Sequence, residues 1–481
     1  MISIHNLPKE YEYDVYSLAK AFCPGEDICF IEGALDAGED AQGTRYYVNL
    51  SEDSFRLEIT DIESGDSRIY EEAQGEKYDY KNAWKLFYYN CLSDYYGKTL
   101  PWGNLTGIRP SKIIMKMMED GMEDAAIYEE MENKHKVSSS KIQLGIDIAK
   151  REKKLLDPLD LKNGFSLYIG IPFCITRCLY CSFTSNLISK WEDKVDDYID
   201  CLIKEMEGIR SITDKKVLHS VYIGGGTPTS ITAKQLDRII KAIYDNFHMD
   251  ECLEFTCEAG RPDSFTKEKL QVLLDGGVKR ISVNPQTMND ETLELIGRKH
   301  TSKDIVNAFN MVRECGFDNI NMDMILGLPG EDAKMVRNTL EAISSLSPDS
   351  LTVHSLAVKR AAELTAYIEK KGYFLKSDLD EEMSLASVYA DRMGMKPYYM
   401  YRQKNMAGNL ENIGFSHDGK EGLYNILIME EKESIIALGA GSVTKCVYEG
   451  NRIERVDNAK DIKVYMERID AEIKKKLDYL G

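Results

Sequence analysis

The segment IGIPFCITRCLYCSFTSN, residues 169–186, places three cysteines within eight positions. Cys174, Cys178 and Cys181 follow a C-x3-C-x2-C spacing, and thiolates are soft ligands that suit zinc or iron–sulfur clusters. A structural zinc site closes with four protein ligands, usually from two close pairs. The sequence has no second CxxC and no HxxxH to complete such a site. Three thiolates would instead hold a [4Fe–4S] cube and leave its fourth iron open to an amino and a carboxylate group.

The residues that follow alternate between short strand patterns and helical patterns. Strand candidates are SLYIGI (166–171), SVYIGG (220–225), LEFTCEA (253–259), RISVNP (280–285), INMDMIL (320–326) and SLTVHSL (350–356). Helical patterns lie at 192–210, 232–246, 265–275, 290–297, 302–315 and 333–344. This alternation predicts βαβ units and a parallel sheet. Six units are too few for a closed eight-fold barrel, so we expect an α/β fold with a partial (βα)6 barrel and ligands at the carboxyl ends of its strands.

The sequence before this repeat has an α+β pattern. DICFIEGAL and TRYYVNLSEDSFRLEIT alternate with period two, as half-buried strands do. Helical patterns follow at 76–95, 110–132 and 138–156. Within them, LTGIRPSK (105–112) indicates a turn that opens a helix, because Pro110 suits the first helical turn.

After the repeat, from about residue 365, the pattern is again mixed. A helix is predicted near 378–393, strands at 397–402, 423–429 and 434–439, and a charged helix near 458–477. We therefore expect three parts: an N-terminal α+β domain (1–160), a (βα)6 core (161–365) and a C-terminal α+β extension on the substrate side (366–481).

Composition limits the partners and the compartment. The 61 Lys and Arg residues against 80 Asp and Glu residues give a net charge of −19, which disfavours nucleic acid and anionic membranes. No apolar run approaches the ~18–20 residues of a membrane span, and the first residues show no export signal. Eleven cysteines, eight of them scattered singly, do not form a disulfide framework. We predict a cytoplasmic protein without nucleic-acid or membrane partners.

The cysteine spacing resembles the signature of radical S-adenosylmethionine (SAM) enzymes, and an aromatic residue, Tyr180, precedes the last cysteine as in that superfamily. A glycine turn, GGGTPT (224–229), follows the second strand, where backbone groups can approach a ligand closely. Further segments resemble the oxygen-independent coproporphyrinogen III oxidase family: CEAGRPDSF, RISVNPQTMNDETLELIGRKH and INMDMILGLPGE. LTGIRPSK and the segment YRQKN…GNLENIGF (401–415) resemble the longer HemZ-type branch of that family.

The resemblance implies a set of site residues. The cluster ligands are Cys174, Cys178 and Cys181. The positions that match contacts to the cluster-bound SAM are Tyr168, Glu258 and the glycine turn with Gly225, Gly226 and Thr227. Those that match contacts to a second SAM are Gln286, Arg298, Asp323 and Ala357, with Val443 as a further contact.

The resemblance also implies a reaction. SAM is cleaved to a 5′-deoxyadenosyl radical, which takes a hydrogen atom from a propionate of coproporphyrinogen III; two decarboxylations give protoporphyrinogen IX. The partners would be a tetrapyrrole and a low-potential donor such as flavodoxin or ferredoxin, and the protein would be a monomer. Basic candidates for the propionates are Arg177, Arg261, Lys359, Arg360, Arg402 and Lys404. Tyrosines that either stack on a tetrapyrrole or pack are Tyr398, Tyr399 and Tyr401.

Two positions depart from the family pattern: Gly170 stands where histidine is common, and Ser182 stands where the oxidases carry a further cysteine. Two other functions therefore stay open. One is a haem-binding chaperone on the same scaffold, although that branch usually keeps the histidine and ends in H-N-x-x-Y-W, where this chain has Tyr424-Asn425-Ile426. The other is a radical SAM methyltransferase or ring-opening enzyme acting on haem.

Overall fold

The structure is a computed structural model. It describes residues 1–31, 43–51, 53–73, 80–107, 109–183, 186–357, 363–371, 378–403 and 410–480. The chain forms two compact units. The first unit is Met1–Asp147 with Tyr401–Glu411, and the second unit is Ile148–Met400 with Asn412–Gly481. The three-part division made from the sequence stays a prediction.

The first unit is an α+β unit, as its alternating pattern predicts. Its strands are β1 (Ile2–His5), β2 (Ile28–Ile31), β3 (Thr44–Leu50), β4 (Ser54–Asp61) and β5 (Ser67–Ala73), in the sheet order β2-β1-β3-β4-β5. Its helices are α1 (Glu12–Phe22), α2 (Tyr80–Tyr96), α3 (Pro110–Glu119) and α4 (Asp124–Asn133), followed by α5 (Ser139–Leu156). The inward face of β4, with Phe55, Leu57 and Ile59, packs into a core that includes Trp84 of α2.

The predicted extent of one helix in this unit was wrong. The pattern at 110–132 predicts one helix, but α3 and α4 are separate. Gly121, with φ of +84°, lies between them, and this left-handed backbone ends a helix at little cost only for glycine. The start of α3 at Pro110 agrees with the prediction. The part of the predicted strand DICFIEGAL beyond residue 31 lies outside the described residues.

The second unit contains the predicted barrel. Its first elements are β6 (Gly164–Ile171), β7 (Phe173–Cys174), β8 (Asn186–Leu187), α6 (Val195–Thr213), β9 (Val217–Gly225), α7 (Ala233–Asn246), β10 (Glu254–Cys257), α8 (Lys267–Asp275), β11 (Arg280–Ser282), α9 (Asp290–Leu295), α10 (Ser302–Glu314), β12 (Ile320–Leu326), α11 (Ala333–Leu346) and β13 (Ser350–Ser355). Six neighbouring strands, β6 and β9 to β13, run parallel in chain order. The partial (βα)6 barrel is thereby confirmed.

The remaining strands extend both edges of this sheet, and the remaining helices connect or follow them. All of these elements are given next in chain order. They are α12 (Glu363–Lys371), α13 (Leu379–Arg392), β14 (Lys396–Tyr401), β15 (Asn412–Ser416), α14 (Leu423–Glu430), β16 (Ser434–Leu438), β17 (Val443–Val447), β18 (Ile453–Asp457), α15 (Ile462–Glu467) and α16 (Ile469–Leu480). β15 pairs antiparallel with β13, while β16 runs parallel to β6. The eleven-stranded order is β14-β15-β13-β12-β11-β10-β9-β6-β16-β17-β18.

The strand predicted at 423–429 was wrong, because these residues form helix α14. Periodicity cannot separate a short apolar run in a helix from one in a strand. The tertiary structure decides, since the buried Glu254 carboxylate accepts hydrogen bonds from the backbone N–H groups of Leu423 and Tyr424. A carboxylate at a helix N-terminus accepts hydrogen bonds from the free N–H groups there, and its negative charge interacts favourably with the helix dipole.

A buried ion pair joins the last helix to α6. Lys476 Nζ lies 2.7 Å from Glu205 Oε1, and both side chains are fully buried. The same carboxylate accepts hydrogen bonds from Asn458 Nδ2, Tyr465 Oη and the backbone N–H of Gly439. Glu205 therefore holds the turn after β16 as well as the C-terminal helices. Among the helices of the described segments, none combines the length and apolarity needed to cross a membrane.

Candidate cluster and cofactor site

The three motif cysteines lie directly after the first barrel strand. Cys174 is buried at the end of β7, and Cys178 and Cys181 are half-buried in the following loop. Burial raises the pKa of the Cys174 and Cys181 thiols, and the other two motif thiols raise that of Cys174 further. Such mutual electrostatic influence requires that the three sulfur atoms share one neighbourhood.

The cysteine loop is held by backbone contacts to the segment after α9. Leu179 N–H donates to Ile296 O over 3.0 Å, and Thr176 Oγ1 donates to Gly297 O over 3.0 Å. Gly297 has φ of +78°, and a Cβ built on it would lie 3.0 Å from Arg177 O. The loop therefore has a defined conformation that depends on close backbone approach at Gly297.

The glycine turn lies against the first cysteine. Gly226 N–H donates to Ile171 O over 2.8 Å, and Thr227 Oγ1 contacts Cys174 Sγ over 3.5 Å. A Cβ on Gly226 would lie 2.5 Å from Phe173 O and 2.9 Å from Cys174 Sγ. Gly225 adopts φ of +115°. Only glycine fits here, so the turn brings open backbone groups next to the cysteines.

A carboxyl group and a tyrosine stack line the neighbouring strand ends. Tyr168 of β6 stacks on Tyr222 of β9 at 6.2 Å between ring centroids, and Tyr222 stacks on Tyr424 of α14 at 4.6 Å. Glu258 follows β10, and its Oε2 would lie 3.0 Å from a Cβ built on Gly224. Burial and the nearby Asp323 carboxylate raise the pKa of Glu258 to about 8. The site thus holds a carboxyl group that is largely protonated at neutral pH.

Glu258→Gln is expected to flatten the pH dependence of the stability of the cluster-free protein. The folded-state pKa of Glu258 is raised, so its stabilising effect is fully present below its ordinary value of 4.5 and is lost as pH rises through about 8. The loss is at most about 1.4 kcal/mol per pH unit. Glutamine stays neutral at every pH. Urea unfolding at several pH values across this window measures the effect, and equal pH slopes in both proteins would contradict it.

The segment after β11 contributes an amide, and the middle of β12 contributes a second carboxylate. Gln286 has φ of +66°, and its N–H donates to Asp323 O over 2.9 Å. A non-glycine residue in this conformation is strained, and such strain concentrates at functional sites. Burial alone would raise the pKa of Asp323, but hydrogen bonds from His354, Asn321 and Thr352 hold it below its usual value. The ionised Asp323 carboxylate therefore lies near enough to the protonated Glu258 carboxyl to influence its pKa.

The interior also contains buried polar atoms without a partner among the described residues: Ser282 Oγ, Asn284 Oδ1, Gln286 Oε1, Arg298 Nε and both ring nitrogens of His300. The other guanidinium nitrogens of Arg298 donate to Asn284 O over 2.6 Å and to Tyr180 Oη over 3.2 Å. An unsatisfied buried polar group costs about 1–3 kcal/mol, so proteins keep few of them. A polar, charged ligand such as SAM fits this set, because it would supply the missing partners.

The thiols do not converge on one point. Across the part of the chain that the structure describes, no group of three His, Cys, Asp or Glu side chains is arranged to hold a single metal ion. A cube differs from a single ion because each thiolate binds a different iron atom. Three soft ligands in one loop and the open glycine turn beside Cys174 fit such a cluster.

The remaining sequence candidates lie at several places. Ala357 is half-buried just after β13, close to the strand ends. Val443 begins β17 and is 40% exposed, beyond the turn that packs beside Gly170. A Cβ on Gly170 would lie 3.0 Å from Leu438 O, so strand β16 occupies the space that a larger side chain would need. Ser182 is half-buried after the last cysteine.

The basic candidates are dispersed. Arg177 is exposed, with Nη1 3.9 Å from Glu363. Arg402 belongs to the first unit, where its Nη1 donates to Leu105 O over 2.7 Å. Lys359, Arg360 and Lys404 lie outside the described residues. Tyr398 and Tyr399 are buried in the second unit, which supports their role in packing.

Sequence reasoning missed three side chains of the site. Tyr222 lies two residues before Gly224 on the same face of β9, and this period of two was available as a signal. Tyr424 was placed on a strand, so its stacking with Tyr222 could not be foreseen. Arg261 was considered only for propionates, whereas its Nη1 lies 3.6 Å from Cys178 Sγ.

Comparison with known proteins places this fold in one class. A model of the radical SAM superfamily matches residues 168–343. The solved structure of coproporphyrinogen III oxidase (HemN) from Escherichia coli, a radical SAM enzyme, matches with a TM-score of 0.53 at 22% identity, covering 65% of this chain and 70% of that chain. The second unit therefore has the radical SAM fold, and the superfamily implies a [4Fe–4S] cluster and SAM.

Proteins of similar sequence identify the family within this superfamily. The oxygen-independent coproporphyrinogen-III oxidase-like protein HemZ of Bacillus subtilis (strain 168) is 40% identical over 406 residues, covering 83% of this chain and 81% of the relative. The heme chaperone HemW of the same organism is 32% identical over 278 residues, covering 58% of this chain and 70% of the relative. The chain belongs to the oxygen-independent coproporphyrinogen III oxidase family of radical SAM proteins, and within it to the HemZ-type branch.

Proposed function

We propose that this protein is a radical SAM enzyme that converts coproporphyrinogen III to protoporphyrinogen IX without oxygen. The observation that carries this proposal is the 40% identity to an oxidase-like protein over 83% of the chain, which extends beyond the barrel. The three motif cysteines and the glycine turn beside them support radical SAM chemistry. We also propose that the protein acts as a cytoplasmic monomer with a low-potential donor such as flavodoxin or ferredoxin.

When bound, the cluster and SAM supply a carbon radical that can take a hydrogen atom from an unactivated C–H bond. Each of the two propionates that react, out of four, loses one hydrogen atom from its β-carbon. Its carboxylate then leaves as carbon dioxide, a vinyl group forms, and the remaining electron passes to a one-electron acceptor. Every such step uses one SAM and one electron from the donor, and two steps complete the product.

The proposed work of the chain is to bind, orient and exclude water. Cys174, Cys178 and Cys181 would hold the cluster. The backbone of Gly225, Gly226 and Thr227 would receive the SAM amino group, with Tyr168 and the protonated Glu258 beside it. A protonated carboxyl can donate a hydrogen bond where an ionised one can only accept.

A second SAM is proposed beyond the carboxyl end of β11, beside β12. The unpartnered Nε of Arg298 can donate to its carboxylate, and the ionised Asp323 suits its amino group or a ribose hydroxyl. Gln286 can donate and accept there, with Ala357 and Val443 as further contacts.

A haem-binding chaperone is the second candidate, and a specific observation favours it. The heme chaperone HemW matches over 70% of its own length. The two departures at Gly170 and Ser182 concern the substrate step and leave cluster binding untouched. A chaperone would bind haem without turnover, so the two candidates differ in what they release.

One anaerobic assay tests the proposal. The cluster is reconstituted in the full chain, and reductant, SAM and coproporphyrinogen III are added. We expect a product that has lost two carbon dioxides by mass, together with 5′-deoxyadenosine. Haem binding without product would instead support the chaperone, and a methylated or opened tetrapyrrole with haem as substrate would support the third candidate. Either result would overturn the decarboxylase proposal.

A further inference from the structure

A buried guanidinium contacts the second cluster cysteine. Arg261 is 3% exposed, and its Nη1 lies 3.6 Å from Cys178 Sγ, within hydrogen-bond range for sulfur. Its other two nitrogens donate to Asp263, Nε to Oδ1 over 3.0 Å and Nη2 to Oδ2 over 2.9 Å. The Asp263 carboxylate accepts from Nε and Nη2 of the guanidinium, so the remaining Nη1–H group is directed at the Cys178 thiol.

The surroundings of this contact are cationic. Arg298, also buried, donates to Tyr180 Oη, two residues after Cys178. The ring of His300 is buried beside these arginines, with Nδ1 3.9 Å from Asp263 Oδ1. Burial, followed by the two guanidinium groups, lowers the pKa of His300 to about 4, so the ring is neutral at physiological pH. The positive charge near Cys178 therefore comes from the two arginines, against one partly exposed carboxylate.

We propose that Arg261 is a positioning residue that hydrogen-bonds the Cys178 thiolate and raises the reduction potential of the cluster. This proposal rests on the proposed ligation of the cluster by Cys178. One-electron reduction by the donor adds negative charge to the cluster and its sulfurs. A donor N–H and a positive charge stabilise the reduced form more than the oxidised form, and burial weakens solvent screening.

A purely structural role makes a different prediction. The Arg261–Asp263 pair could simply clamp the segment after β10 to the cysteine loop. In that case, replacing Arg261 would lower stability or cluster content, but the clusters that form would have the potential of the wild-type protein. The reduction potential therefore separates the two roles, and it needs neither turnover nor a tetrapyrrole.

The test is a redox titration followed by electron paramagnetic resonance on the reconstituted full chain, without SAM. For Arg261→Gln we expect a lower midpoint potential, with the reduction equilibrium constant reduced at least tenfold, which is about 59 mV for one electron. Arg261→Lys keeps the charge but loses the fork, so its potential should fall between the two. Arg238→Gln is the control, because this half-buried arginine of α7 pairs with Asp196 and Asp200 of α6, away from the cysteine loop.

A wild-type potential in cluster-loaded Arg261→Gln would overturn the proposal. If that variant does not take up iron, the same result in Arg261→Lys overturns it. An Arg238→Gln shift as large as that of Arg261→Gln would also do so, because the effect would then be one of total charge. Failure of the cluster assignment itself would appear separately, as a wild-type protein that holds no iron–sulfur cluster.

Discussion

Cys178→Ala is expected to abolish both cluster assembly and the cleavage of SAM. Cys178 is the middle ligand of the proposed site, and its loss leaves two thiols for a cube that needs three. The half-buried loop offers no neighbouring cysteine beyond Cys174 and Cys181. Iron and sulfide analysis after anaerobic reconstitution measures the first effect. Release of 5′-deoxyadenosine in the presence of reductant measures the second, and we expect it to fall to background.

Cys315→Ala is the matched control for this prediction. Cys315 is also half-buried and free, but it lies after α10 rather than in the motif. We expect this variant to keep full iron content and full cleavage of SAM. Wild-type iron content and wild-type cleavage of SAM in Cys178→Ala would show that this cysteine spacing does not mark a cluster. The proposed radical SAM reaction would then be wrong as well.

The second large effect is on stability. Lys476→Met should lower the free energy of unfolding of the second unit by about 3–5 kcal/mol, because it leaves the buried Glu205 carboxylate without its cation. The remaining donors, from Asn458, Tyr465 and Gly439, cannot supply a charge. Hydrogen exchange of peptides from α6 and α16, followed by mass spectrometry, reports the free energy of opening of these two helices.

The chain contains a close control for this ion pair. Lys204 and Asp470 join the same two helices at 2.7 Å, but their side chains are 50% and 80% exposed. Exposed pairs contribute about 0–1 kcal/mol, so Lys204→Met should change little. Equal exchange in both variants would mean that Lys476 adds nothing beyond a surface contact, and the argument from burial would fail.

The barrel could be predicted closely from the sequence, because its strands are buried on both faces and bounded by turn residues. INMDMIL was assigned to a strand at 320–326, and β12 occupies Ile320–Leu326. The same reasoning failed for 423–429, where the apolar run is also short. Its conformation depends on Glu254, a residue about 170 positions earlier that caps the helix.

The candidate site shows the same division. The cysteine spacing, the glycine turn and the order of the candidate residues are local patterns, so the sequence alone determined the radical SAM family and predicts the positions that would hold its cofactors. The contact of Arg261 with Cys178, the stacking of Tyr424 on Tyr222 and the raised pKa of Glu258 depend on packing between distant segments. Only the tertiary structure decided these, because burial and charge proximity exist only once the strands are assembled.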